Sequence, residues 1–204
     1  MAIVTKFSDL DLTKTYSYAD YLLWQFQERV ELIKGKIFEM SPAPSRKHQM
    51  VSRVLNRYLD RYFEHNPCGL YDAPFDVRLI NFKKSTEDKK VFTVVQPDLC
   101  VVCDESKLDD RGCIGSPDLV IEILSPGNSK KEMGIKFNLY QENKIKEYWI
   151  VDPTEQAIFV YTLKDETYIG LKPCIEDEKI TSPLFPALDF EIKKIFADIK
   201  THKK

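Results

Sequence analysis

The chain has 204 residues, of which 43% are hydrophobic and 30% charged, with a formal net charge of −2. That length and balance fit a single α/β domain and exclude a disordered chain; the charge excludes a strongly basic nucleic-acid binder while leaving room for a local basic groove. No stretch approaches the roughly 18 apolar residues of a membrane span, and residues 1–6 lack the apolar core of a signal peptide, so a cytoplasmic protein with no membrane partner is expected.

In chain order, Ser17 and Asp20 form a capping pair that opens a helix through Leu22, Leu23 and Phe26. Residues 30–33 and 36–40 read as a hairpin around Lys34-Gly35, closed off by Pro42 and Pro44. Ser45 is an N-cap for a long helix whose stripe is Met50, Val51, Val54, Leu55, Tyr58, Tyr62 and Phe63. Residues 70–80 read as one strand, 81–90 as a polar loop, and about 91–103 as a second strand that carries Pro97-Asp98. A charged loop over 104–112 leads to a third strand, Pro117-Asp118-Leu119-Val120-Ile121-Glu122-Ile123-Leu124. Residues 125–129 break it and cap a helix over about 130–143, with Met133, Phe137 and Tyr140 on its buried stripe. A strand at 147–153, a hairpin at 157–163 and 167–171, a short helix at 192–199 and a loose basic tail at 200–204 complete the chain. Strand, helix and strand over 117–151 make a crossover unit, and the whole is expected to be one domain with a mixed sheet and a helix on each face.

Glu122 is the most informative residue. It stands in a continuous aliphatic run, which marks a strand covered on both faces, and a carboxylate there needs a proton, a cationic partner or a metal ion to replace its lost hydration. Asp98 heads another apolar strand, and two carboxylates delivered by neighbouring strands make an oxygen-rich site for a hard divalent cation. Asp118 shares a face with Glu122, but four residues place it about 13 Å along the strand, too far for one ion. Asp98 fits better if its strand is displaced relative to the next. Lys136, at the border of a buried helix face, is placed to orient a nucleophile or stabilise charge on a phosphoryl group. Lys130 and Lys131 oppose the dipole of the same helix, which an anionic partner such as a DNA backbone would explain. The competing reading is that Glu122 makes a buried ion pair with Lys136 or Lys130 and does nothing else.

Five cysteines show no disulfide framework, and Cys100 and Cys103, spaced like zinc ligands, would point to opposite faces of one strand. They are expected to be buried thiols that behave as small hydrophobes.

Taken in order, Val30-Glu31-Leu32-Ile33-Lys34-Gly35-Lys36, Met40-Ser41-Pro42, His48-Gln49, Gln96-Pro97-Asp98, the run from Pro117 to Pro126, Lys136-x-x-x-Tyr140 and Glu147-Tyr148-Trp149-Ile150-Val151-Asp152 resemble the signatures of the Uma-type restriction endonuclease family, a branch of the PD-(D/E)XK nuclease superfamily. The resemblance spans about residues 15–195. It implies a restriction-endonuclease-like α+β fold, with a central mixed sheet flanked by helices and extra antiparallel hairpins. It also implies hydrolysis of phosphodiester bonds in double-stranded DNA with Mg2+, for which Mn2+ can substitute. By this resemblance Asp98 and Glu122 are catalytic metal ligands. The superfamily lysine two residues after the acid is absent, since position 124 is leucine, and Lys136 on the following helix matches the displaced lysine. Glu31 or His48 would join the site, each with a bland alternative: an exposed strand charge for Glu31, a helix-end hydrogen bond for His48. Cutting both strands would most simply use a homodimer. Two further functions compete: a retired nucleic-acid-binding or interaction protein of the same fold, and a hydrolase of RNA or other phosphate esters.

Overall fold

The computed structural model describes residues 3–40, 44–80, 86–125 and 130–200, apart from the side chains of 130–132 and 200. The expectations for Pro42, for the breaker at 126–129, for the tail beyond 200 and for the side chains of Lys130 and Lys131 lie outside the described residues.

Ser17 N donates to Asp20 Oδ2 at 2.8 Å, but the helix it caps, α1 (Tyr18–Tyr21), lasts one turn and does not reach Phe26. The hairpin forms as expected from β1 (Val30–Ile33) and β2 (Lys36–Glu39). Its two-residue turn places both Lys34 (φ 52°) and Gly35 (φ 78°) in the left-handed region, the geometry that matches strand twist. Ser45 Oγ accepts from His48 N at 3.2 Å and caps α2 (Arg46–Phe63).

The two long strand readings need correction. Residues 70–80 divide into β3 (Gly69–Asp72) and β4 (Asp76–Arg78), and residues 91–103 into β5 (Val94–Val95) and β6 (Leu99–Val102). Pro74 and Pro97 stand in the gaps, and a residue without an N–H cannot sustain a ladder through them. The charged loop also carries short strands, β7 (Leu108–Asp109) and β8 (Gly112–Ile114). The remainder is β9 (Leu119–Ile123), α3 (Lys130–Glu142), β10 (Glu147–Asp152), the hairpin β11 (Ala157–Lys164) and β12 (Thr167–Gly170), and α4 (Ile192–Lys200).

These elements gather into two compact units. The first comprises Met1–Pro42, Phe75–Gln96 and Ser106–Ser116, with a sheet in the order β2-β1-β5-β4-β8-β7. Its core is Tyr18, Leu32, Ile80, Val91 and Val94. The second comprises Ala43–Pro74, Pro97–Glu105 and Pro117–Lys204, with a sheet in the order β12-β11-β10-β9-β6-β3. Both sheets are mixed: β4 and β8 pair in parallel in the first, β9 and β10 in the second, the latter joined through α3 as the crossover reading expects.

In the second unit, alternation sorts the strand residues between two layers. Leu119, Ile121 and Ile123 join Val51, Leu55 and Leu59 of α2 and Ile195 and Phe196 of α4 in one core. The opposite face meets α3, where the Tyr140 ring lies 5.0 Å from that of Tyr148. The buried stripe of α3 differs from the expected one. Lys136, Leu139 and Tyr140 are buried, whereas Met133 and Phe137 are half-buried.

The cysteines also differ from expectation. Cys68 and Cys103 form a disulfide, while Cys100, Cys113 and Cys174 are buried thiols. Sequence spacing gave no sign of the pairing, because β3 and β6 create it by lying side by side.

Candidate active site

The site begins with register. β6 and β9 are antiparallel, with Leu99 opposite Ile121 and Cys100 opposite Val120. The register ends at Leu99 and Ile121; Asp98 comes just before the one and Glu122 just after the other, so both acids stand at the same end of the β6–β9 ladder.

Asp98 is held at both sides of Oδ2. The oxygen accepts from Ile123 N at 2.7 Å and lies 3.1 Å from His48 Nε2. The backbone donor ties the carboxylate to the end of β9, and the Ser45 cap fixes the helix turn that presents the imidazole. Glu122 is held from α3. Its Oε1 lies 2.9 Å from Lys136 Nζ and accepts from Tyr140 OH at 2.5 Å. Lys136 and Tyr140 are four residues apart and therefore meet the same point from successive helical turns.

The Lys136 side chain is 9% exposed and that of Glu122 13%, so this ion pair is largely desolvated and its charges act at short range with little screening. Asp98 keeps 22% of its side chain exposed, which leaves the site open to a ligand at that end. Beneath it, burial raises the Tyr148 phenol well above its ordinary value, and the negative charge of Glu122 adds to the shift. Tyr148 is a neutral wall of the site.

Four of the five candidates, His48, Asp98, Glu122 and Lys136, lie in the second unit. Glu31 belongs to the first. It is a buried acceptor in β1, with 1% exposure, and Oε1 takes the N–H of Gln96 at 2.9 Å, so the reading of an exposed strand charge is wrong. The Gln96 amide in turn donates to Asp76 Oδ1 at 2.9 Å. His48 does more than close a helix end, since its Nε2 reaches Asp98. Asp118, at the other end of β9, takes the N–H of Cys103 on Oδ2 at 2.8 Å and the Lys146 ammonium on Oδ1 at 2.7 Å. That carboxylate braces the strand start.

Tyr140 was not among the expected site residues. Its signal was its spacing from Lys136: an aromatic with a polar tip, one turn after a buried lysine.

The donor set suits a hard divalent cation: two carboxylates, one heading β6 and one within β9, at the same end of adjacent strands. Among the described residues no three His, Cys, Asp or Glu side chains gather into a metal-holding group. That is compatible with Mg2+, which takes one or two carboxylates and completes its shell with water and substrate oxygens. It does not suit zinc, and the Cys68–Cys103 disulfide takes one thiol of the CxxC spacing out of consideration.

The mixed α+β fold matches that of a solved structure described as a nuclease. A solved structure described as a "putative nuclease belonging to DUF820" from Anabaena variabilis superposes with a TM-score of 0.67 at 21% identity, over 89% of this chain and 97% of that one. A model of the Uma2 family, described as "Putative restriction endonuclease", matches residues 18–193, and the chain belongs to that family. A curated relative, "Uncharacterized protein slr1290" of Synechocystis sp., is 27% identical over 150 residues, which are 72% of this chain and 74% of the relative. No described helix is long and apolar enough to cross a membrane.

Proposed function

We propose that this protein is a Mg2+-dependent endonuclease that hydrolyses phosphodiester bonds in double-stranded DNA, with Mn2+ able to substitute. The observation that carries this reading is Asp98 and Glu122 at one end of the β6–β9 ladder with Lys136 on Glu122 Oε1. Asp98 and Glu122 are the metal ligands. When bound, the ion lowers the pKa of its water and offsets charge on the phosphoryl oxygens.

The remaining roles belong to the chain. The Ile123 N–H and His48 Nε2 hold Asp98 Oδ2 in one orientation, and Tyr140 OH does the same for Glu122 Oε1. The Lys136 ammonium is buried beside Glu122, where it donates to the attacking water or to the pentacovalent phosphate. His48 assists through Asp98. The family match, which runs through both units, supports reading them as one nuclease domain. A homodimer would bring two such sites to the two strands.

The test is nicking of supercoiled plasmid with Mg2+ or Mn2+, for wild type beside Glu122→Ala and Lys136→Ala, with EDTA as the metal-free arm. Cleavage by wild type alone, lost in EDTA, is the expected result. Cleavage by the Glu122→Ala protein at the wild-type rate would sink the assignment. Parallel RNA and small-phosphodiester substrates test the alternative of a different phosphate ester.

A further inference from the structure

α2 carries a second feature that the site does not use. Arg46, Arg53, Arg57 and Arg61 line one exposed stripe of the helix, on the side away from the buried Val51, Leu55 and Leu59. From Arg46 to Leu59 the helix has no acidic residue, and the exposed Asp60 and Glu64 enter the stripe only at its C-terminal end. A merely solvated face ordinarily mixes signs at positions three and four apart, because such pairs stabilise the helix. Here Arg53 pairs with Asp198 at 3.2 Å across to α4, and among the described residues Arg46, Lys47, Arg57 and Arg61 make no ion pair.

The placement is also unfavourable for the helix itself. Arg46 and Lys47 stand in the first turn, at the positive end of the dipole, with no acid beside them. The composition of the chain does not force this, since its net charge is −2. The first turn of α2 also presents His48 to Asp98 from its buried side, so the basic row begins in the same turn on the outer side and runs for about 22 Å. That length corresponds to roughly six successive phosphates of one DNA strand.

We infer that the exposed arginine stripe of α2 is the surface on which the backbone of duplex DNA lies, leading the scissile phosphate to Asp98 and Glu122. The inference rests on the nuclease reading above. The contacts are to phosphates, so they position the duplex and carry no sequence information. A row of exposed guanidiniums suits such contacts, because each is permanently charged and takes a phosphate oxygen pair with two N–H donors.

The experiment is fluorescence anisotropy of a labelled duplex of arbitrary sequence, in EDTA so that nothing is cut, over a series of salt concentrations. The wild-type protein is compared with Arg46→Gln/Arg57→Gln/Arg61→Gln and with a control of equal charge change, Lys172→Gln/Lys179→Gln/Lys194→Gln. The stripe variant should reduce the slope of log affinity against log salt by about 0.9 per arginine, close to 2.7 in all, and weaken binding at least tenfold at low salt. The control should keep the wild-type slope, and both should melt within a few degrees of wild type.

An unchanged slope in the stripe variant, an equal loss in the control, no wild-type binding at any salt, or tighter binding to anionic vesicles or single-stranded RNA than to duplex would each overturn the inference. Plasmid nicking separates it from the reading it rests on. Wild-type cleavage with an unaltered stripe slope removes the surface and leaves the nuclease. Absent cleavage with the expected slope change removes the nuclease and leaves the surface.

Discussion

Asp98 immediately precedes Leu99 and Glu122 immediately follows its partner Ile121, so the antiparallel β6–β9 register brings the two acids to the same end of the ladder. The ladder fixes their separation through backbone hydrogen bonds, and Ile123 N–H adds a direct tie to the Asp98 carboxylate at 2.7 Å. Two acidic side chains on a rigid sheet are preorganised for a cation; flexible loops would have to be ordered first.

The ion pair between Glu122 and Lys136 separates stability from chemistry. Glu122→Ala leaves the Lys136 ammonium buried without its carboxylate, so it should destabilise by about 3–5 kcal/mol and abolish nicking. Glu122→Ala combined with Lys136→Met removes both charges, and should recover most of the melting temperature with none of the activity. Calorimetric melting and plasmid nicking on the same samples check this. A double variant no more stable than the single one would show that the pair is not the source of the loss.

Tyr140→Phe keeps the ring contact with Tyr148 and removes only the hydroxyl on Glu122. Loss of a hydrogen bond to a charged acceptor should cost about 1.5–3 kcal/mol. A partner that orients a metal ligand is typically worth 10–100-fold in metal affinity, so the variant should need correspondingly more Mn2+ to reach half-maximal nicking. An unaltered Mn2+ requirement would reduce the tyrosine to packing.

Glu147 gives a pH prediction away from the site. It is fully buried, with Ser182 OH, Trp149 Nε1 and Leu184 N–H donating to it. Burial raises its carboxyl above the ordinary 4.5, and the three donors only partly oppose the shift. The folded chain then holds this proton more tightly than the unfolded one. The contribution is present below 4.5 and is lost as pH rises through the folded value. Glu147→Gln removes that loss, so its urea midpoint should rise relative to wild type as pH climbs above 4.5. A constant difference across pH would mean that the carboxyl titrates alike in both states.

Cys68→Ser removes the link between the start of β3 and the end of β6. Opening a loop of this kind typically costs about 2–4 kcal/mol, readable as a lower urea midpoint. The same shift should follow on adding reductant to wild type, and reductant should do nothing further to the variant.

Much of this was legible in the residues, and the gaps have physical causes. The aliphatic run around Glu122 announced a central strand, the Lys34-Gly35 pair announced its turn, and Ser45 announced its helix, because each depends on neighbours in sequence. Lys136 was legible as well, since a lysine on the border of an apolar stripe has few places to go. The splitting of residues 70–80 and 91–103 was missed because apolar content continues across Pro74 and Pro97, and only the missing N–H at each reveals the break. The contact of His48 with Asp98, the Cys68–Cys103 link and the burial of Glu31 by Gln96 depend on pairings distant in sequence, for which a single chain gives no local signal.

The two units are each assembled from three separate stretches of chain, and prolines at 74, 97 and 117 stand at the crossings. During synthesis, therefore, neither sheet can close early. The first waits for Ile114 of β8 to reach Arg78 of β4, and the second cannot set Asp98 against Glu122 until β9 has been made. Until then the edge of β4 lacks β8 and the apolar edge of β6 lacks β9, so a nascent or truncated chain that stops short of β9 exposes an unpaired strand edge to aggregation.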